Sequence, residues 1–311
     1  MTWKFELVAG PFKGRTGGLC WDGRSMLFSA VLEERILRFD PVTGGVTDYR
    51  KYTGRTNGIA AAPDGSVFGA QEGGRRVIRF LPDGSTVQTC DLLDGKHHNQ
   101  PTDLVIDRRG RVWFTDPYNL VLPFGPDGIY PFLDHTSVLR MERGDGHAWA
   151  LSRVTRDSKG PRALALSPDE NTLYVADGDL DHDTGPCTLR AYPIGTDGTI
   201  GSGEVLHTFG TGERGIEGLA VDRDGNIIAC GGSAKSGAGP AVHVFSAAGQ
   251  VLAIHPVPAD LPMRCAFGDA GLDSLYLTTG AGHLLRARAT GHRGLERGSP
   301  RQAEGAAAWP G

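Results

Sequence analysis

No uninterrupted apolar run in the sequence is long enough to cross a bilayer, and the opening stretch "MTWKFELVAGPFKG" lacks a basic leader followed by an apolar segment. A membrane anchor and a secretory leader are therefore not expected, and the chain reads as cytoplasmic. Neither charge is in excess: 32 Lys and Arg stand against 36 Asp and Glu, with both signs interspersed. Without a basic stripe or a polybasic cluster, nucleic acid and membrane surfaces are not expected partners. Cysteine is scarce. The five (Cys20, Cys90, Cys187, Cys230 and Cys265) are odd in number and lack paired short spacing, which argues against a disulfide framework or a C-x-x-C zinc site. Cys20, Cys230 and Cys265 lie in apolar runs and read as small buried hydrophobes. The H-E-x-x-H zinc motif is missing. The stretch "GGSAKSGAG" around Ser233 is not the G-x-S-x-G elbow of a serine hydrolase and reads as a flexible loop.

Helical periodicity is also nearly absent, because 46 Gly and 19 Pro interrupt it repeatedly. A short pattern recurs instead: a small or polar residue, an apolar stretch, a turn rich in Asp and Gly, then a second apolar stretch. It reads "GGLCWDGRSMLFSA", "NGIAAAPDGSVFGA", "TDLVIDRRGRVWFTD", "RALALSPDENTLYVAD", "EGLAVDRDGNIIAC" and "RCAFGDAGLDSLYLTT". The copies begin at Gly17, Asn57, Thr102, Arg162, Glu217 and Arg264, separated by 40, 45, 60, 55 and 47 positions. A four-stranded propeller blade recurs at roughly 40 to 50 residues, so the expected fold is all-β, a six-bladed β-propeller. Each copy is an antiparallel hairpin, and runs such as "RVIRFLPDG" and "VHVFSAAG" supply further strands. One domain over residues 1–290 is expected, closed by pairing "WKFELVAG" with "HLLRARAT", followed by a polar flexible tail over 291–311. The long insertion "PYNLVLPFGPDGIYPFLDH" after Asp116 is placed to cover one face of the ring.

Inner strands of a propeller run along its central channel, so equivalent repeat positions surround one axis. That places Gly17, Asn57, Thr102, Arg162, Glu217 and Arg264 in a polar ring, with Asp103 immediately after Thr102. A carboxylate at Glu217 would then meet guanidinium groups rather than an apolar core. Arg162 and Arg264 can hold a carboxylate, an enolate or a developing oxyanion through bidentate hydrogen bonds, and Glu217 can act as a general base. His97, His98 and His135 are further proton-transfer candidates, with His135 in "LDHTSV" preferred.

These stretches, together with "RILRFDPVTG", "NQPTDLVIDRRGRVWFTDP" and "LDHTSVLRM", resemble the senescence marker protein (regucalcin)/gluconolactonase/luciferin-regenerating enzyme family of six-bladed propellers. The resemblance extends over about residues 3 to 290. It implies a divalent cation (calcium, magnesium, manganese or zinc) held by Glu in the first repeat, Asn in the third and fourth, and Asp in the fifth. The cation would polarise a lactone carbonyl or activate water. At the matching positions this sequence carries Gly17, Thr102, Arg162 and Glu217, which makes it an atypical member. Only Glu217 remains as a strong metal ligand, so no cofactor is expected beyond a weakly held divalent cation.

The activity implied is that of a lactonase-like hydrolase on a small polar or anionic, sugar-type lactone in the channel. Glu217, Asp103 and His135 are its catalytic candidates, and Asn57, Thr102, Arg162 and Arg264 its substrate-binding candidates. Two alternatives stand beside it. One is a metal-independent isomerase, cyclase or lyase with Glu217 as base and Arg162 and Arg264 as anion holders; the other is a non-catalytic propeller that binds a small molecule.

Overall fold

The computed structural model describes residues 2–118, 131–144, 148–178 and 186–296. Six four-stranded antiparallel sheets make a six-bladed propeller, and no α-helix occurs among the described residues. The innermost strands of the blades are, in order, Thr16–Trp21, Thr56–Ala61, Leu104–Ile106, Pro161–Leu166, Ile216–Val221 and Pro262–Gly268. Each begins within a few residues of its sequence repeat. Blades one to five are built from four consecutive strands, and the sixth is shared by the two ends of the chain. There Phe5–Ala9 pairs antiparallel with Leu284–Ala287, from Phe5 opposite Ala287 to Ala9 opposite Leu284.

In the inner hairpin turns of blades one to five an Asp organises its own backbone. Asp107 Oδ1 accepts from the N–H of Arg109 (3.0 Å) and Arg111 (2.9 Å), and Asp222 Oδ1 accepts from Asp224 (2.9 Å) and Asn226 (2.8 Å). Such side-chain-to-backbone bonds fix a tight turn locally, so each hairpin forms from nearby residues. The core then consists of six apolar clusters, one between each pair of neighbouring blades. Strands two and three of a blade are apolar on both faces for this reason; "MLFSA" at Met26–Ala30 and "VFGAQ" at Val67–Gln71 are buried throughout.

Around the axis the inner strands crowd together. A Cβ on Gly58 would lie 2.6 Å from Asp103 Cα, and one on Gly218 would lie 2.6 Å from Arg264 Cα. Both contacts are with backbone that cannot yield, so glycine is required at each. Gly58 N–H donates to the Thr102 carbonyl (2.8 Å), joining blades two and three at the channel wall.

Two expectations change, and a third falls largely outside the described residues. Residues 291–296 are not a loose tail: Gly294 forms a β-bridge with Asp222 of blade five, and His292 Nδ1 lies 2.7 Å from Asp222 Oδ2. The propeller thus extends past 290, and 297–311 lie outside the described residues. The Ser233 stretch is strand rather than flexible loop, because Ile227–Ser233 and Ser236–Phe245 form a long hairpin. Most of the insertion after Asp116 lies outside the described residues.

Candidate active site

Glu217 is the second residue of the fifth inner strand and is buried. Arg162, the second residue of the fourth, donates from Nη1 to Glu217 Oε1 (3.0 Å). Arg214, three residues before Glu217, reaches the same oxygen with Nε (3.1 Å) and Nη2 (3.0 Å). A carboxylate out of water is tolerated when opposite charges and hydrogen bonds replace its hydration, and two guanidinium groups provide both. Arg162 is 9% exposed at its side chain and Arg214 20%, so Arg214 forms the solvent side of the cluster.

Across the channel a second buried carboxylate, Glu72, ion-pairs with Arg15 and accepts a hydrogen bond from Asn57 Nδ2 (3.3 Å). The Asn57 amide fills the space beside Gly17, where an added Cβ would lie 2.5 Å from Asn57 Oδ1. Gly17 and Asn57 are therefore fitted to each other, and a carboxylate side chain at position 17 has no room unless Asn57 moves.

Arg264 and Asp103 form the waist of the channel. Arg264 Nη1 donates to the carbonyls of Glu217 and Met263 (2.8 Å to Met263), and Nη2 to those of Thr102 (3.3 Å) and Arg162 (3.4 Å). Its Nε faces Asp103 Oδ1 at 3.5 Å. Expected as an anion holder, Arg264 instead spends its Nη donors tying four inner-strand carbonyls together. Burial pushes the Asp103 carboxyl up to about 6, against the pull of the Arg264 charge.

The remaining candidates lie apart from Glu217. Thr102 Oγ1 donates to the Gln100 carbonyl (3.1 Å). His135 Nδ1 is 3.0 Å from Ser137 Oγ, and burial followed by the charge of Arg153 lowers its pKa. It makes no hydrogen bond to Glu217 or Asp103. His98 is fully buried with Nδ1 3.3 Å from Asp116 Oδ1, while half-buried His97 lies 3.5 Å from Asp91. Arg214, Arg15 and Glu72 were not singled out by the repeat, since none occupies the first position of a repeat copy. The signals that could have found them are the Arg three residues before Glu217 in "RGIE" and the acid in "QEGGRR" at the end of an otherwise apolar strand.

Among the described residues, the donor set around Glu217 does not suit a divalent cation. Glu217 Oε1 is already held by guanidinium groups, and a cation placed there would meet Arg162 and Arg214. Among the described residues, no group of three or more His, Cys, Asp or Glu side chains is arranged to hold a metal ion.

The comparisons with known proteins converge on one family. Gluconolactonase of Zymomonas mobilis is 29% identical over 247 residues, 75% of this chain and 63% of that protein, so the chain spans just under two thirds of that relative. A 6-deoxy-6-sulfogluconolactonase of Pseudomonas putida is 31% identical over 270 residues, 83% of this chain and 81% of that one. Among solved structures, a gluconolactonase of Xanthomonas campestris superimposes with a TM-score of 0.76 at 26% identity, covering 92% of this chain and 89% of that chain. The family model for the SMP-30/gluconolactonase/LRE-like region matches residues 16–281, and the chain belongs to that family.

Proposed function

We propose that the protein is a lactonase that hydrolyses a small sugar-type lactone carrying an anionic group, at the polar mouth of the channel. The observation that carries this reading is the buried Glu217 carboxylate held by Arg162 and Arg214 within the fold of the lactonase family. In the proposed step a water molecule gives its proton to Glu217 as it attacks the ring carbonyl. Guanidinium N–H groups of Arg162 and Arg214 stabilise the developing oxyanion, and as the ring C–O bond breaks the proton taken by Glu217 passes to the departing ring oxygen, which regenerates the carboxylate. Partly exposed Arg214 and Arg15 supply the positive rim that favours an anionic substituent. The 31% identical sulfogluconolactonase acts, by its name, on a lactone of that kind. No step is routed through a metal, because a cation beside Glu217 would meet the guanidinium groups of Arg162 and Arg214.

Glu217→Gln keeps the size and an acceptor oxygen but removes the base. It is expected to lower kcat/KM for a hydrolysed aldonolactone by about 100-fold or more, with a wild-type far-UV spectrum and a lowered Tm, because buried Arg162 loses its ion-pair partner. Chelator should leave the wild-type rate unchanged. Full activity in this variant, or loss of wild-type activity in chelator that a divalent ion restores, would overturn the proposal. The contact of Arg162 with the carboxylate also favours a second reading: abstraction of an acidic C–H beside a bound carboxylate, as in an isomerase, cyclase or lyase. Substrate-dependent exchange of a carbon-bound proton with D2O, without lactone turnover, would select that reading.

A further inference from the structure

Beyond Arg264 and Asp103 the channel changes from polar to apolar. A cavity of about 190 Å³ runs from these two residues towards the C-terminal ends of the inner strands. Every blade contributes apolar residues of its inner strand to the lining, among them Leu19, Ile59, Ile106, Leu166, Ala220 and Phe267. At the far end it is bordered by Leu272 and Leu295. The proposed lactone chemistry uses the other end of the channel and leaves this cavity without a role.

Its inner end has a definite chemical bias. The Arg264 Nη donors are occupied by the carbonyls of Glu217, Met263, Thr102 and Arg162, so little donor capacity remains there. Asp103 is the opposite case. Its Oδ1 lies 3.5 Å from Arg264 Nε and its Oδ2 3.4 Å from the Leu164 N–H, both longer than an ordinary N–H to oxygen bond, and the Leu104 N–H is its other backbone neighbour. The cavity therefore ends in a carboxyl group with unused acceptor capacity, surrounded by hydrocarbon. A buried acceptor of this kind is stabilised by any donor that reaches it, whereas a carboxylate ligand would meet like charge.

We propose that this lower half of the channel is a second binding site, taking a small molecule with a compact apolar tail and a hydrogen-bond-donating head, of the class of a primary aliphatic alcohol. The head donates to Asp103 and the tail lies along the six apolar walls. Size sets the chain length: an apolar cavity of about 150 Å³ holds benzene, so one of this volume suits about six carbons and no drug-sized ligand.

The test is calorimetric titration of the full chain at pH 7.5 with 1-butanol, 1-hexanol and hexanoate. One saturable site is expected for 1-hexanol, with affinity rising about fourfold per added methylene. Hexanoate should bind at least tenfold more weakly. Ala220→Leu, which fills the cavity wall, and Leu295→Trp, which narrows its far end, should each weaken hexanol binding tenfold or more. Glu217→Gln, at the opposite mouth, should leave it within twofold. If Ala220→Leu does not fold, Leu295→Trp decides, because position 295 lies outside the blades. The inference is overturned by the lack of a saturable site, by hexanoate binding as well as hexanol, by binding unaffected in the folded cavity variants, or by binding lost in Glu217→Gln. None of these outcomes depends on whether lactones are hydrolysed.

Discussion

Asp103 at the channel waist makes stability depend on pH in a direction opposite to that of most carboxylates. Its folded-state pKa is raised from an ordinary 3.8 to about 6, with burial the largest cause. The folded protein thus holds this proton more tightly than the unfolded chain. The contribution of the group is greatest below about pH 4 and is lost as pH rises through about 6. Roughly two pKa units at 1.36 kcal/mol each make the difference about 3 kcal/mol. Asp103→Asn removes the titration while keeping an oxygen for the Leu164 N–H. Its absolute stability will also reflect the lost charge beside Arg264, so the informative quantity is the change with pH. Urea unfolding of both proteins between pH 4 and pH 7.5 should show the variant gaining about 2.5 kcal/mol on the wild type across that range, since at pH 4 the unfolded carboxyl is already half ionised. Titrations common to the two proteins cancel in the difference. Parallel stability profiles with a constant offset would refute the argument, and with it the view of Asp103 as a poorly solvated carboxylate.

Two further predictions concern the framework, and both are read by denaturant unfolding. Gly218→Ala places a methyl group 2.6 Å from Arg264 Cα and 2.8 Å from the Met263 carbonyl, so blades five and six must separate. A loss of at least about 2 kcal/mol is expected, and a neutral result would mean that the inner strands can move apart at little cost. Thr16→Val removes the hydroxyl that donates to the carbonyls of Thr279 (3.1 Å) and His283 (2.8 Å) and accepts from Thr279 N–H (3.1 Å). The expected cost is about 1 to 3 kcal/mol, because groups left behind are buried and unsatisfied; an unchanged midpoint would mean that water replaces them.

The propeller was legible because its blades repeat the same short-range chemistry. The turn aspartates at positions 22, 64, 107 and 222 and the apolar runs beside them specify hairpins that need no distant partner, and six copies leave few ways to close a ring. The ring of first positions was legible for the same reason, since Asn57, Thr102, Arg162, Glu217 and Arg264 share one register. What those side chains do was less accessible. Arg264 and Arg162 occupy equivalent positions, yet one turns its guanidinium onto four backbone carbonyls and the other onto Glu217. That choice depends on rotamers and on which neighbours leave acceptors free, and neither is periodic. Arg214 and Glu72 escaped because they enter the site from a connecting segment and a hairpin end, outside the repeat register. The segment 291–296 reads as a tail because it is held by backbone bonds, such as Arg223 N–H to the Arg293 carbonyl and Gly294 N–H to the Leu272 carbonyl, and by the contact of His292 with Asp222, none of which leaves a hydrophobic pattern.

The sixth blade has a consequence for how the chain can be cut. Because Phe5–Ala9 lies at the outer edge of a sheet whose other strands come from the end of the domain, the first and last strands of the propeller meet in space. Joining them by a short linker and opening the chain at an exposed turn, such as that at Asp83 and Gly84, preserves every strand pairing. Deleting the first nine residues does something quite different: it bares Leu284–Ala287 as an unpaired edge, open to the corresponding edge of another molecule. A permuted chain should therefore remain in its native oligomeric state, while the shortened one should associate.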